Sequence, residues 1–205
     1  MINILKAYND LYFFNGSRGD ETSSQIFLFH DRHSKLILTA PHATRSFANK
    51  KEKLADLYTG ALTQYIGEIT QTSTIIRQKF TPYRALISDY IAQIELQDHY
   101  FLDIHGFNQN IPYDVCFGIA SFQEQDYPFL NQIIQTAKKY KLRTIVNHPS
   151  YTGKFGLTGR YQKIFNTPNV IQIELSRRLR DFYQNPDIVE HTTVPFLCEI
   201  CKFYK

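Results

Sequence analysis

Three residues far apart along the chain have side chains suited to hydrolytic chemistry. His42 follows the apolar run 35–40 (KLILTA) after one proline, His105 closes the run 100–105 (YFLDIH), and Glu174 stands near the end of 169–176 (NVIQIELS). Imidazole is a preferred ligand of catalytic zinc, which takes about three protein ligands and keeps one position for water. Such an ion brings the pKa of its water toward ~7, and a nearby carboxylate takes the proton and passes it to a leaving amine. Glu174 is the candidate for that proton work. Burying a carboxylate in an apolar run is costly unless it is paired or near a metal. The plain alternative is a salt bridge from Glu174 to Arg177 or Arg178. The remaining histidines, His30, His33, His99, His148 and His191, are assigned to surface or ordinary hydrogen-bonding positions.

The elements that must position these residues alternate in type. Runs 25–30 and 35–40, separated by polar 31–34, read as a hairpin feeding a central strand. Residues 52–70 repeat apolar positions at helical spacing, as do 83–96. Strands are expected at 74–79, 100–105, 113–120, 142–146 and 169–176, and helices at 127–141 and 192–204, with a short turn at 177–183. Residues 151–162 read as a glycine-rich active-site loop; they lack the Gly-Lys-Ser/Thr end of a phosphate-binding loop. Strands alternating with helices imply an α/β layered domain with a largely parallel sheet. Ligands gather at the carboxyl ends of such strands, which is where His42, His105 and Glu174 fall.

The bulk numbers narrow the function classes. A chain of 205 residues suits one domain, 1–205, with no repeat or linker. The formal net charge of +4 comes from scattered Lys and Arg, without the dense basic stripe of a nucleic-acid binder. Three cysteines, no signal-like order over 1–15 and no run near the ~20 residues of a membrane span lead to the expectation of a reduced, cytoplasmic protein that engages neither nucleic acid nor membrane. Cys198 and Cys201 have no second Cys or His pair at zinc-finger spacing and read as core residues. A Ser or Cys hydrolase is disfavoured: no Gly-x-Ser-x-Gly elbow occurs, and Cys116 lies mid-strand.

Segments 36–43 (LILTAPHA), 102–109 (LDIHGFNQ) and 170–177 (VIQIELSR) resemble the N-formylglutamate amidohydrolase family, as do 54–58 (LADLY) and 158–161 (TGRY), in the same order. More distantly this is the plan of the zinc carboxypeptidases. The resemblance spans about residues 36–178. It implies a phosphorylase/hydrolase-like, zinc carboxypeptidase-like three-layer α/β/α fold with a mixed, largely parallel sheet. It also implies bound zinc (other divalent ions suit similar donors) and amide hydrolysis of a small N-acyl amino acid or short peptide. His42 and His105 become metal ligands and Glu174 the general base and acid. Asp103 lies two residues before His105 and so shares its strand face. It is the candidate to orient that imidazole.

The chain departs from the pattern twice. Where the carboxypeptidase plan has a Glu three residues after the first His, this chain has Arg45. Asp56, at the start of the expected helix, is the leading third ligand, followed by Glu52. No Asn-Arg pair is present to hold a substrate carboxylate. Arg45, Arg84 and Arg160 are the candidates, Arg160 first, with a further catalytic role in steadying the oxyanion. The missing Glu also keeps a second reading open, a non-catalytic module that binds a small acidic ligand or a protein partner.

Overall fold

The computed structural model describes residues 1–48, 50–96, 98–107 and 110–204. Asn108 and Gln109, the end of one family-like segment, lie outside the described residues. The described chain runs α1 (Ile2–Tyr12), β1 (Phe27–His30), β2 (Leu36–Ala40), β3 (Ser46–Ala48), β4 (Lys51–Lys53), α2 (Thr59–Thr70), β5 (Ser73–Arg77) and α3 (Ile87–Gln93). It continues with β6 (Tyr100–Phe107), β7 (Val115–Gly118), α4 (Leu130–Lys139), β8 (Thr144–Val146), α5 (Leu157–Phe165), β9 (Val170–Ser176), α6 (Arg177–Arg180), α7 (Pro186–Ile188) and α8 (Val194–Cys201).

Seven strands form the central sheet in the order β1-β5-β2-β6-β9-β7-β8, and β3 and β4 form a separate ribbon. β5, β2, β6 and β9 run parallel; β1 meets β5 and β7 meets β9 antiparallel, and β8 runs parallel to β7. The architecture is therefore a mixed, mostly parallel α/β fold. Helices cover both faces, which is why the inner strands are near-continuous apolar runs. Side chains alternate between faces. Leu38, Leu102, Ile104, Ile171 and Ile173 point into the larger core, beneath α2, α4 and α8. Ile37, Phe101 and Val170 point into a smaller core shared with α3 and α5. Each such side chain, fully buried, contributes about 1.5–3 kcal/mol.

The smaller-core face changes character along the strands. It begins with Ile37, Phe101 and Val170, then becomes Thr39, Asp103 with His105, and Gln172 with Glu174, all buried. Polar side chains thus collect at the carboxyl ends of β2, β6 and β9, on one face. No helix among the described residues is long and apolar enough to cross a membrane.

Several elements differ from the sequence expectation. Residues 25–40 form no hairpin: β1 pairs with β5, which stands between β1 and β2. The connecting loop lies over the start of β5, where the N–H groups of Arg32 and Ser34 donate to Ser73 Oγ. The helix expected over 52–70 begins only at Thr59. Residues 51–53 pair with β3, and Tyr58 takes a left-handed φ of 74° that interrupts any helix there. The helix expected over 83–96 shortens to α3. Within the glycine-rich 151–162, α5 begins at Leu157, so Arg160 is helical. Gly159 lets that helix sit against the preceding loop, since a Cβ there would lie 2.1 Å from Lys154 O.

Candidate active site

β6 and β9 pair in parallel register with His105 opposite Glu174 and Asp103 opposite Gln172. The two strands therefore present these four side chains on one face, fixed by main-chain bonds. His42 enters from the turn after β2. Its ring centroid is 5.1 Å from that of His105. Asp56 comes from the irregular segment between β4 and α2. Its N–H donates to His42 O at 2.8 Å, and its own carbonyl accepts from Thr59 Oγ at 2.7 Å. These bonds bring the Asp56 carboxylate to the His105 ring.

His105 lies between two carboxylates, with Nδ1 3.1 Å from Asp56 Oδ2 and Nε2 2.9 Å from Asp103 Oδ2. Asp103 also accepts from the Thr39 hydroxyl on the neighbouring strand. Burial opposes a charge on His105, but Asp103 and Asp56 outweigh it and hold the imidazole pKa well above its ordinary value. Burial likewise pushes against the Asp56 carboxylate, yet the bond from His105 leaves it below the usual range. His42 goes the other way: burial, reinforced by Lys53, holds its imidazole well below its ordinary value. Its Nδ1 lies 3.3 Å from Ser46 Oγ. Glu174 is pushed up to about 7, chiefly by burial, and accepts from Gln172 Nε2 at 2.9 Å.

The arginines named as partners of Glu174 are engaged elsewhere, Arg177 with Asp181 and Arg178 with Asp114. Glu52 and Arg45 pair with each other at 2.6 Å on the flank, and Arg45 Nε donates to Gly16 O. Neither lines the cleft above the cluster. That cleft measures about 350 Å³ and is bordered by Arg84 and Arg160, with His42, His105 and Glu174 in its wall. Cys116 sits opposite Glu174 across β7 and β9, fully buried, its thiol pushed up to about 12 by burial. That is unsuited to nucleophilic attack.

The sequence reading missed Arg77, at the end of β5. It also lines the cleft and is 2% exposed. Its Nε donates to Pro41 O at 2.9 Å and its Nη2 to Ala85 O, while its buried Nη1 has no protein partner among the described residues. The signal that singled out Glu174, a charge within an apolar strand, was present here too.

Among the described residues, no three His, Cys, Asp or Glu groups stand in a ready-made metal geometry. Asp56 and His105 are bonded to each other instead. The donor types nonetheless suit a borderline divalent ion: two imidazoles and a carboxylate, with Asp103 behind one imidazole.

A scan against protein-family models finds no match, and neither does a comparison with curated proteins. Solved structures do match. N-formylglutamate amidohydrolase from Ralstonia eutropha JMP134 aligns over 87% of this chain and 97% of its own, with TM-score 0.59 and 11% identity. A bacteriophage poly-gamma-glutamate hydrolase aligns over 89% of each chain, with TM-score 0.51 and 16% identity. A metallo-carboxypeptidase from Burkholderia cenocepacia aligns over 98% of this chain and 67% of its own, with TM-score 0.50 and 13% identity. The fold is thus that of the amidohydrolase and carboxypeptidase-like α/β structures.

Proposed function

We propose that the protein is a metal-dependent hydrolase of a linear amide, acting on an N-acyl amino acid or short peptide with a carboxylate near the scissile bond. His42, Asp56 and His105 would hold the ion, and zinc suits such a mixed nitrogen and oxygen donor set. Bound there, a divalent ion supplies Lewis acidity, polarising the substrate carbonyl and easing deprotonation of water. Asp103 accepts the Nε2 proton of His105, which fixes the ring's orientation and frees Nδ1 for binding. Glu174, its carboxyl near neutrality, takes a proton from the attacking water and returns it to the leaving amine.

Arg77 puts a buried guanidinium in the cleft wall, a positive charge that favours an anionic part of the substrate. Lys53, Arg84 and Arg160 add positive charge around the cleft, which favours substrates with more than one carboxylate. N-formylglutamate and poly-γ-glutamate, named for two of the similar structures, are amides of that kind. The single observation that carries the reading is the meeting of two imidazoles and the Glu174 carboxylate in the wall of one cleft, with the Asp56 carboxylate bonded behind to His105 and the Arg77 guanidinium beside them.

The test is to assay zinc-loaded protein on N-formylglutamate, N-acetylglutamate and γ-glutamyl oligomers, beside uncharged acyl-amino acid amides. Amine release from the carboxylate-bearing substrates, stopped by a chelator and restored by zinc, is expected. Turnover indifferent to the chelator, or none in the loaded protein, contradicts it. Arg45, three residues after His42 where a carboxylate ligand is expected, favours a second reading, a binding module without turnover. Failure to take up zinc at any concentration selects that one.

A further inference from the structure

Arg180, the last residue of α6, is wholly buried. A buried cation is costly unless its N–H groups are met. Here three main-chain carbonyls from three separate segments meet them. Nε donates to Leu175 O at 3.2 Å, Nη1 to Leu57 O at 2.5 Å and Nη2 to Phe107 O at 3.1 Å. Each carbonyl lies one or two residues beyond a site residue: Leu57 after Asp56, Phe107 after His105, Leu175 after Glu174. A guanidinium is a rigid planar fork, so the three bonds together fix the spacing of the three segments. Gly106 makes room for it, since a Cβ there would stand 2.2 Å from Arg180 Nε.

Two of these segments need little help, because β6 and β9 are already paired along their length. Segment 54–58 belongs to no strand or helix. A second arginine of α6 also reaches it: Arg177 Nη2 donates to the Tyr58 hydroxyl at 3.2 Å, and the guanidinium carbon lies 4.7 Å from the Tyr58 ring centroid. Asp181 braces Arg177 at 2.8 Å.

We propose that Arg180, supported by Arg177, is a positioning residue that holds segment 54–58 where the Asp56 carboxylate meets Nδ1 of His105. Its functional meaning rests on the metal-site reading above; its geometry rests on the bond between Asp56 and His105 alone. Arg180→Lys keeps the charge but replaces the fork with one ammonium that cannot span three carbonyls.

The experiment records the His105 imidazole N–H signals by NMR in the metal-free full chain, wild type beside Arg180→Lys. Chelator competition measures the zinc affinity of both. The Nδ1–H signal, toward the loop-borne Asp56, is expected to broaden or vanish while the Nε2–H signal, toward the strand-borne Asp103, persists. Zinc affinity is expected to fall about 10–100-fold, the range for losing a group that orients a ligand. Unchanged signals and affinity overturn the proposal, and so does equal loss of both signals, which marks a merely structural role. A wild type that takes no zinc removes the metal reading and leaves the NMR comparison to decide. If Arg180→Lys does not fold, Arg177→Gln is made at a side chain that is 39% exposed. Selective weakening of Nδ1–H there supports the proposal, and no change overturns it.

Discussion

His105 and Glu174 ride on adjacent strands, whereas His42 and Asp56 ride on loops. The strand pair is held by a register that runs from Phe101 opposite Val170 to Phe107 opposite Ser176. The loop pair depends on a few separate bonds, chiefly Asp56 N–H to His42 O and the carbonyl at Leu57 held by Arg180. Spacing is therefore enforced most firmly for the Glu174 carboxylate and the His105 imidazole beside it. Under the proposed chemistry, Asp56 must part from His105 to admit an ion, and of that pair it is the one on the half that can adjust.

The strand half is broken most severely by Glu174→Gln. Amide hydrolysis should fall by about 10²–10⁴-fold, the usual contribution of a positioned acid–base group, while zinc content stays at the wild-type level. Full activity in that variant would remove Glu174 from the mechanism. Asp103→Asn comes next: it leaves the strand register intact but loses the carboxylate that orients His105. Zinc affinity should weaken about 10–100-fold, as read by competition with a chelator.

Asp114 sharpens the contrast from outside the site. Burial works against its charge, but bonds from Arg143 and Arg178 prevail and hold the carboxyl below its ordinary 3.8. Stability from this group is complete above that value and is lost as pH falls through its folded pKa. Asp114→Asn should cost about 1–3 kcal/mol near neutrality and flatten the acid slope in denaturant titrations, with zinc affinity unaltered. Smallest of all is Arg45→Ala. The ion pair with Glu52 is about one-third exposed on each side, so the change should stay within about 1 kcal/mol and leave KM untouched. A raised KM would return Arg45 to the cleft.

The same division governs what the sequence discloses. β2, β6 and β9 are legible because strands covered on both faces become unbroken apolar runs, and the two-residue alternation sets Asp103 and His105 on one side. Segment 54–58 is not legible. Leu54, Leu57 and Tyr58 continue the helical spacing of α2, yet Leu54 is 69% exposed and Tyr58 turns left-handed. Periodicity carries no sign of such a turn. Pairing partners are equally invisible: β1 and β2 are neighbours in sequence, but β5 arrives from beyond α2 to lie between them. Arg77 escapes notice because Gln78 and Lys79 follow it, so the run looks like a strand emerging into solvent. The polar end of the smaller-core face is an outcome of three registers at once, which no single segment reveals.

X-ray absorption of the zinc-loaded chain bears most directly on the shared site. One zinc is expected in a shell of nitrogen and oxygen donors with two imidazoles, reduced to one imidazole in His42→Ala. A shell containing sulfur from Cys198 or Cys201, or one that His42→Ala leaves unchanged, would contradict it.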